Sequence, residues 1–227
     1  MEKFIILARE ARELGNNEDA LKYYDKVRLE DPFNAEAKFF YQYYSTITCK
    51  NGEIPTKLQQ LYKCVEPTFE LIKKSQMSEE EKVSLVTEIC QLVYNDSEEI
   101  YWHMRGLSCF EASEIAVVGK EQFYQSCYLD KLVVKVFGEQ EQFASILVYL
   151  WKKQIEKASF GERKTFYNQQ TKLVYAEMGI KEDWRAYLNE KIKKYEPSYQ
   201  IPEEPVQKSL GDIISDFIKK ITKKSKK

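Results

Sequence analysis

Apolar residues recur along the chain at the spacing of amphipathic helices. One clear stripe occupies positions i, i+3, i+4, i+7, i+8 and i+12, and consists of Phe143, Ile146, Leu147, Leu150, Trp151 and Ile155. Ser78 and Glu81 match the S-x-x-E capping box, which marks the start of a helix, just ahead of another apolar stripe. No stretch alternates with period two beside a hairpin signal. The pattern therefore predicts an all-α protein.

Glycines divide the helical stretches from one another. Gly15, Gly119, Gly138, Gly161 and Gly179 each follow or separate apolar-periodic segments, where a C-terminal glycine stop is expected. This punctuation predicts about ten helices followed by a tail helix. Their predicted ranges are 2–14, 17–30, 35–49, 56–75, 79–94, 98–117, 120–137, 140–158, 162–178 and 181–195.

The chain divides into three parts of different composition. Residues 1–195 form the predicted helical domain, and residues 196–208 form a linker that contains Pro197, Pro202 and Pro205, which fix φ and favour an extended chain. Residues 209–227 form a basic amphipathic segment. Seven Lys against two Asp give residues 208–227 a charge of +5. Since the whole chain carries −1, the other residues sum to −6.

The basic segment carries apolar residues at helical spacing, with lysines around and after them. Its candidate docking residues are Ile214, Phe217, Ile218, Lys219, Lys220, Lys223 and Lys224. Such a helix can lie on an anionic membrane surface, where each lysine is attracted to the lipid headgroups. It can equally dock on the helical domain or on a partner. Nucleic-acid binding is not expected, because contacts by so short a lysine run would be weak and salt-dependent.

Residues 1–34 resemble a tetratricopeptide repeat, a unit of two antiparallel helices. The matching positions are Phe4, Leu7, Ala8, Ala11, Gly15, Ala20, Tyr24, Val27 and Pro32. The resemblance continues weakly through 35–49. Later hairpins are degenerate, because Tyr124, Phe143 and Trp184 fall where the first repeat has the small Ala20. The resemblance implies antiparallel helical hairpins stacked as a right-handed superhelix, an α-solenoid.

Proteins of this family hold a peptide or a partner helix in a concave groove lined by the first helix of each hairpin. On the matching positions, the resemblance implies a groove lined by Ile5, Arg9, Arg12, Phe39 and Tyr43. Two arginines beside two aromatic rings suit an acidic-hydrophobic peptide. In the alternative interpretation, the arginines form a solvated helix face and the aromatic residues belong to the core. The clamp for chaperone tails is not expected, because its positions hold Ile5, Arg9 and Phe40.

Signals for catalysis are weak. The single histidine, His103, has no partner that the sequence identifies, and the phosphate-binding and zinc-protease motifs are missing. Five cysteines at wide, irregular spacing suit neither a disulfide framework nor a metal site. We therefore expect no catalytic residues, no metal and no cofactor.

The N-terminus lacks the features of a secretory signal, and no run is apolar enough to be a transmembrane helix. The sequence thus predicts a cytoplasmic, non-enzymatic interaction scaffold that binds a protein or peptide. The alternatives are a peripheral membrane adaptor anchored by the tail, and a helical-repeat regulator that senses a peptide.

Overall fold

The computed structural model describes residues 2–158 and 164–202, and these residues form helices without any strand. The all-α prediction is confirmed. The described residues form nine α-helices: α1 Glu2–Glu13, α2 Asn17–Glu30, α3 Ala35–Ile47, α4 Ile54–Lys74, α5 Glu79–Arg105, α6 Ala112–Phe137, α7 Ala144–Ala158, α8 Lys164–Glu177 and α9 Trp184–Lys193. Short 3-10 turns, Asn51–Glu53 and Glu141–Phe143, precede α4 and α7.

Several helix ends lie where the sequence predicts them. Gly15, Gly138 and Gly179 have φ values of 69°, 82° and 72°, a conformation open to glycine, and they follow α1, α6 and α8. At the start of α5, the Ser78 hydroxyl accepts from the Glu81 amide, and the Glu81 carboxylate accepts from the Ser78 amide. Gly161 lies outside the described residues.

The predicted boundaries between 94 and 120 are wrong. No break occurs near residue 95, since α5 runs from Glu79 to Arg105, and within it the Ser97 hydroxyl donates to the Val93 carbonyl four residues earlier. The chain instead leaves the helix at Gly106 and starts α6 at Ala112. Gly119 therefore lies inside α6 and ends no helix. The helix predicted over 79–94 is the first part of α5, whereas the helix predicted over 98–117 covers the end of α5, the connection at 106–111 and the start of α6.

Gly119 marks a close approach between α5 and α6. A Cβ atom at this position would lie 2.7 Å from the hydroxyl and 2.8–2.9 Å from ring atoms of Tyr101. Those distances are shorter than ordinary carbon contacts. The glycine therefore allows α5 and α6 to pack closely. The sequence pattern alone had indicated a helix end at this position.

The extensive helix contacts join helices that are one or two apart along the chain. α1 packs on α2, α2 on α3 and α3 on α4, and further along α4 also contacts α6, α6 contacts α8, and α7 contacts α9. Ala8 and Ala20 are fully buried in the first hairpin, as a close helix crossing requires, and Tyr24 is buried beside them.

Of the three large aromatic residues that stand in place of a small one, Phe143 and Trp184 are buried in the core, whereas Tyr124 is half-buried. Phe143 lies 4.6 Å from Phe137 between ring centroids, and Trp184 lies 5.8 Å from Tyr175. Aromatic rings therefore fill the space between helices at Phe143 and Trp184, whereas the small Ala20 lets α1 and α2 pack closely.

All five cysteines carry free thiols. Cys90 and Cys127 are buried, and burial raises the pKa of each thiol above its ordinary value. Cys109 is exposed. Among the helices of the described ranges, none is both long and apolar enough to cross a bilayer.

Asp130 is a buried carboxylate between α6 and α7. It accepts hydrogen bonds from Trp151 Nε1 at 2.8 Å and from Gln154 Nε2 at 3.1 Å. Burial raises the pKa of Asp130, and these hydrogen bonds oppose the rise without cancelling it. The Gln154 side-chain oxygen is buried without a hydrogen-bond partner.

Replacing Gly119 by alanine should destabilise the protein through Tyr101. In a Tyr101→Ala background, the same change should stabilise it by about 1 kcal/mol, the difference in helix propensity. In the native background, the overlap with Tyr101 should outweigh that gain. Urea unfolding of the four proteins measures the cycle, and equal effects in both backgrounds would show that the two helices do not approach closely at Gly119.

Asp130→Asn should change how stability depends on pH. Since the native pKa is raised, the folded protein binds the proton more tightly, so the Asp130 contribution improves as pH falls towards that pKa. The variant lacks this gain, and its amide can still accept from Trp151 while donating to a reoriented Gln154. We expect the free energy of unfolding of Asp130→Asn, relative to wild type, to be higher at pH 7 than at pH 4.

The control is Glu182→Gln, which removes an exposed carboxylate. A stability difference between Asp130→Asn and wild type that is the same at pH 7 and pH 4 would rule out a buried, ionised Asp130.

Candidate functional site

An open cleft lies where α1, α3 and the start of α5 meet. Its volume is about 260 Å³. The lining residues are Arg9, Arg12, Glu13, Glu36, Met77, Glu81, Ser84, Leu85 and Glu88. α1, α3 and α5 are not consecutive along the chain. Residues that are distant in sequence therefore form this surface together.

Arg9 is held by Glu36. Its guanidinium donates from Nη2 to Glu36 Oε2 at 2.5 Å and from Nε to Oε1 at 2.9 Å. Glu36 is 6% exposed, and its carboxylate also accepts from the Tyr24 hydroxyl at 3.0 Å. The hydrogen bond to Glu36 raises the pKa of Arg9, and burial raises the pKa of the Tyr24 hydroxyl well above its usual value. One carboxylate thus joins side chains from α1, α2 and α3.

Arg12 connects α1 to α3 and α5. Its Nη2 donates to Glu88 Oε1 at 2.5 Å, and its guanidinium carbon lies 4.2 Å from the centroid of the Phe40 ring. Burial lowers the pKa of Arg12, but the charge of Glu88 and the neighbouring Tyr24 outweigh it, so the net shift is upward. The guanidinium therefore stays charged and is sandwiched between a carboxylate and an aromatic face.

The structure separates the five residues that the resemblance places in a groove. Arg9 and Arg12 line the cleft. Phe39 is fully buried, and Tyr43 is buried and donates to Asp96 of α5, so these two belong to the core. Ile5 is half-buried and packs against the core. The interpretation of Phe39 and Tyr43 as core residues fits their burial.

The acidic residues of the cleft have no marker in the sequence. Glu36 and Glu88 lie 27 and 76 residues away from the arginines that they bind. Glu81 is recognisable only as a capping residue, and Glu13 only as part of a helix end. A carboxylate three or four residues before an arginine on the same helix would have predicted an ion pair from the sequence. These pairs instead join different helices.

The charge of the cleft is negative. Two arginines face four glutamates, an excess of two carboxylates, and both arginines are already paired within the chain. An anionic ligand would have to displace Glu36 or Glu88 from its arginine. A cationic group can approach Glu13 and Glu81 without breaking either pair. Met77 and Leu85 supply apolar surface beside these carboxylates.

Other candidate chemistry is not assembled in the described ranges. There, no group of three or more His, Cys, Asp or Glu side chains could hold a metal ion. His103 is exposed on α5 and borders a separate cleft of about 360 Å³, together with Cys49 and Glu99. The predicted tail residues lie outside the described ranges, as do residues 203–208 of the linker; the tail residues are Ile214, Phe217, Ile218, Lys219, Lys220, Lys223 and Lys224.

Arg9→Ala should destabilise the protein by about 1–3 kcal/mol, because it leaves the buried Glu36 carboxylate with fewer hydrogen bonds. Arg9→Ala combined with Glu36→Gln should recover part of that loss, since no buried charge is then left. Denaturant unfolding of the two single variants and the double variant gives the coupling energy. Additive effects would contradict a direct interaction between Arg9 and Glu36.

Comparison with protein families, with curated proteins and with solved structures gives no match to this chain. The likeness to tetratricopeptide repeats stays a prediction from residues 1–34. What the protein does is therefore inferred from the geometry and charge of its surfaces.

Proposed function

We propose that this protein is a non-enzymatic interaction scaffold that binds a peptide or a partner helix in the cleft of α1, α3 and α5. The observation that carries the proposal is the pairing of Arg9 with Glu36 and of Arg12 with Glu88. These pairs fix three helices around a concave surface and leave other carboxylates open to a ligand. Such a pre-formed surface reduces the ordering cost of binding.

A superhelical stack of hairpins, as in tetratricopeptide arrays, is the arrangement that we propose for the helices. Contacts between helices one or two apart support it, because in a solenoid each unit packs mainly on its neighbours. The cleft uses only odd-numbered helices, which are the first helices of successive hairpins. In a solenoid those helices line the concave side.

The partner that the cleft favours carries basic groups next to apolar ones. Lysine or arginine side chains can approach Glu13 and Glu81, and a short apolar segment can cover Met77 and Leu85. This differs from the acidic-hydrophobic peptide that the resemblance suggests. The physical reason is that intramolecular carboxylates already neutralise both arginines.

We place this activity in the cytoplasm. Five free thiols, two of them buried in the core, are typical of proteins from a reducing compartment. An interaction scaffold of this kind needs no cofactor for its activity.

A photo-crosslinker tests the cleft as a binding surface. We would replace Ser84, an exposed cleft residue on α5, by p-benzoylphenylalanine and irradiate the protein in an extract of its own cells. We expect a discrete partner to crosslink at Ser84. The same crosslinker at Gln59, which is exposed on α4 outside the cleft, should not capture that partner.

Charge reversal then tests the chemistry of the interaction. Glu13→Lys should reduce the Ser84 crosslink at least about tenfold, the effect of roughly 1.4 kcal/mol in binding. Glu10→Lys makes the same change on an exposed position of α1 outside the cleft and should leave the crosslink unchanged. Equal capture from Ser84 and Gln59, or insensitivity to Glu13→Lys, would move the binding surface elsewhere.

A further inference from the structure

The interface between α6, α7 and α8 contains buried side-chain oxygens with unmet hydrogen-bonding capacity. Within the described residues, Gln154 Oε1 on α7 and the hydroxyl oxygens of Thr171 and Tyr175 on α8 are buried and have no hydrogen-bond partner. Each of the three residues is at most 2% exposed. Because nearly all buried polar groups in folded proteins are hydrogen-bonded, these oxygens require a partner that the side chains around them do not supply.

Two of the oxygens are associated with the buried carboxylate of Asp130 on α6. Gln154 Nε2 donates to Asp130 Oδ1 at 3.1 Å, so the Gln154 amide is held beside that carboxylate. Burial raises the pKa of the Tyr175 hydroxyl well above its usual value, and the charges of Cys127 and Asp130 on α6 add to the rise. The Tyr175 hydroxyl therefore lies within electrostatic reach of Asp130.

Thr171 brings a further hydroxyl to the same face of α8. It precedes Tyr175 by four residues, so the two side chains lie one above the other on the buried face, and α8 packs against α6 and α7. A long helical side chain leans back over the preceding turn, which brings the Tyr175 hydroxyl towards Thr171. Asp130, Gln154, Thr171 and Tyr175 thus border one region of the interface. Since Asp130 is only 7% exposed, that region admits nothing but a small molecule.

The chemistry of these groups determines what the small molecule must do. Gln154 Oε1 and the ionised Asp130 carboxylate can only accept hydrogen bonds, whereas the hydroxyls of Thr171 and Tyr175 can both donate and accept. An occupant that serves all of them donates to the first pair and either donates to or accepts from the second. Water, with two donor hydrogens and two acceptor lone pairs, meets this requirement.

The charge of the interior favours a neutral occupant over a cation. Lys157 of α7 is 8% exposed and donates to Glu98 at 3.2 Å. Burial raises the pKa of the Cys127 thiol to about 12, while Lys157 opposes the rise and Asp130 adds to it, so one thiol lies within reach of both charges. The buried carboxylate of Asp130 thus already has a buried ammonium group in its surroundings, and no further positive charge is required.

We propose that a long-lived water molecule is bound among Asp130, Gln154, Thr171 and Tyr175 and links α8 to α6 and α7. Buried waters typically make about three hydrogen bonds to groups that would otherwise be unsatisfied, which matches the oxygens at this interface. The proposal goes beyond the partner-binding cleft, because none of these four residues lines it.

Tyr175→Phe tests the proposal by the sign of its effect on stability. If the hydroxyl binds water, its removal costs a hydrogen bond, and the unfolding equilibrium constant in urea should rise about threefold or more. If the buried hydroxyl has no partner at all, its removal should leave the protein equally stable or make it more stable. Tyr187→Phe removes an exposed hydroxyl of α9 and should leave the unfolding equilibrium constant unchanged.

Magnetic relaxation dispersion of ¹⁷O-labelled water counts the long-lived waters directly. The wild-type protein should hold at least one more such water than Thr171→Val, in which a methyl group of similar size replaces the hydroxyl and excludes water. Because this change is nearly isosteric, we expect the variant to keep the helical far-ultraviolet circular dichroism spectrum of the wild type.

Three results would overturn the proposal. A Tyr175→Phe variant at least as stable as the wild type would mean that the hydroxyl has no bound partner. Equal numbers of long-lived waters in the wild type and Thr171→Val would place any internal water elsewhere. Greater stability in potassium chloride than in choline chloride of the same ionic strength, lost in Asp130→Asn, would make a cation the occupant.

Discussion

The packing of the first three helices depends on the hydrogen bonds of one nearly buried carboxylate, that of Glu36. It accepts from Arg9 of α1 and from Tyr24 of α2 while it sits on α3, so one side chain fixes three helices relative to one another. A buried carboxylate is costly unless it is fully hydrogen-bonded. Its two partners meet that requirement, and they also determine where Arg9 points.

The chemistry of the cleft follows from this arrangement. With Arg9 committed to Glu36 and Arg12 committed to Glu88, the arginines act as structural cations and are not available to an acidic ligand. The remaining carboxylates then set the sign of the surface. The two arginines on one face of α1 thus do not make the cleft positive. Glu36 and Glu88, which come from other helices, neutralise them, and Glu13 and Glu81 make the surface negative.

Local features of the sequence are enough for much of the fold. The small Ala8 and Ala20, the capping pair Ser78 and Glu81, and the glycines after α1, α6 and α8 each act within a few residues, and the structure has them where they are predicted. Long-range features are not accessible in this way. Gly119 lies within α6 at a close approach to Tyr101, a residue of the preceding helix, and it does not end a helix.

The same distinction explains the candidate site. Arg9 and Arg12 can be found by placing the sequence on a repeat, but Glu36 and Glu88 cannot, because they lie 27 and 76 residues from the groups that they bind. The repeat resemblance places Phe39 and Tyr43 in a groove, whereas in the structure both residues are buried in the core. The spacing of apolar residues in the sequence predicts on which helix a residue lies. Whether that residue faces the core or the cleft follows only from the packed structure.

The coupling energy between Arg12 and Glu88 tests the account most directly, because this ion pair joins α1 to α5 and closes the cleft. Unfolding of Arg12→Ala, Glu88→Ala and the double variant gives that energy. The account predicts a coupling of about 0.5–3 kcal/mol, the range for residues in direct contact. Strictly additive effects would contradict it, since α1 and α5 would then not be joined by this pair.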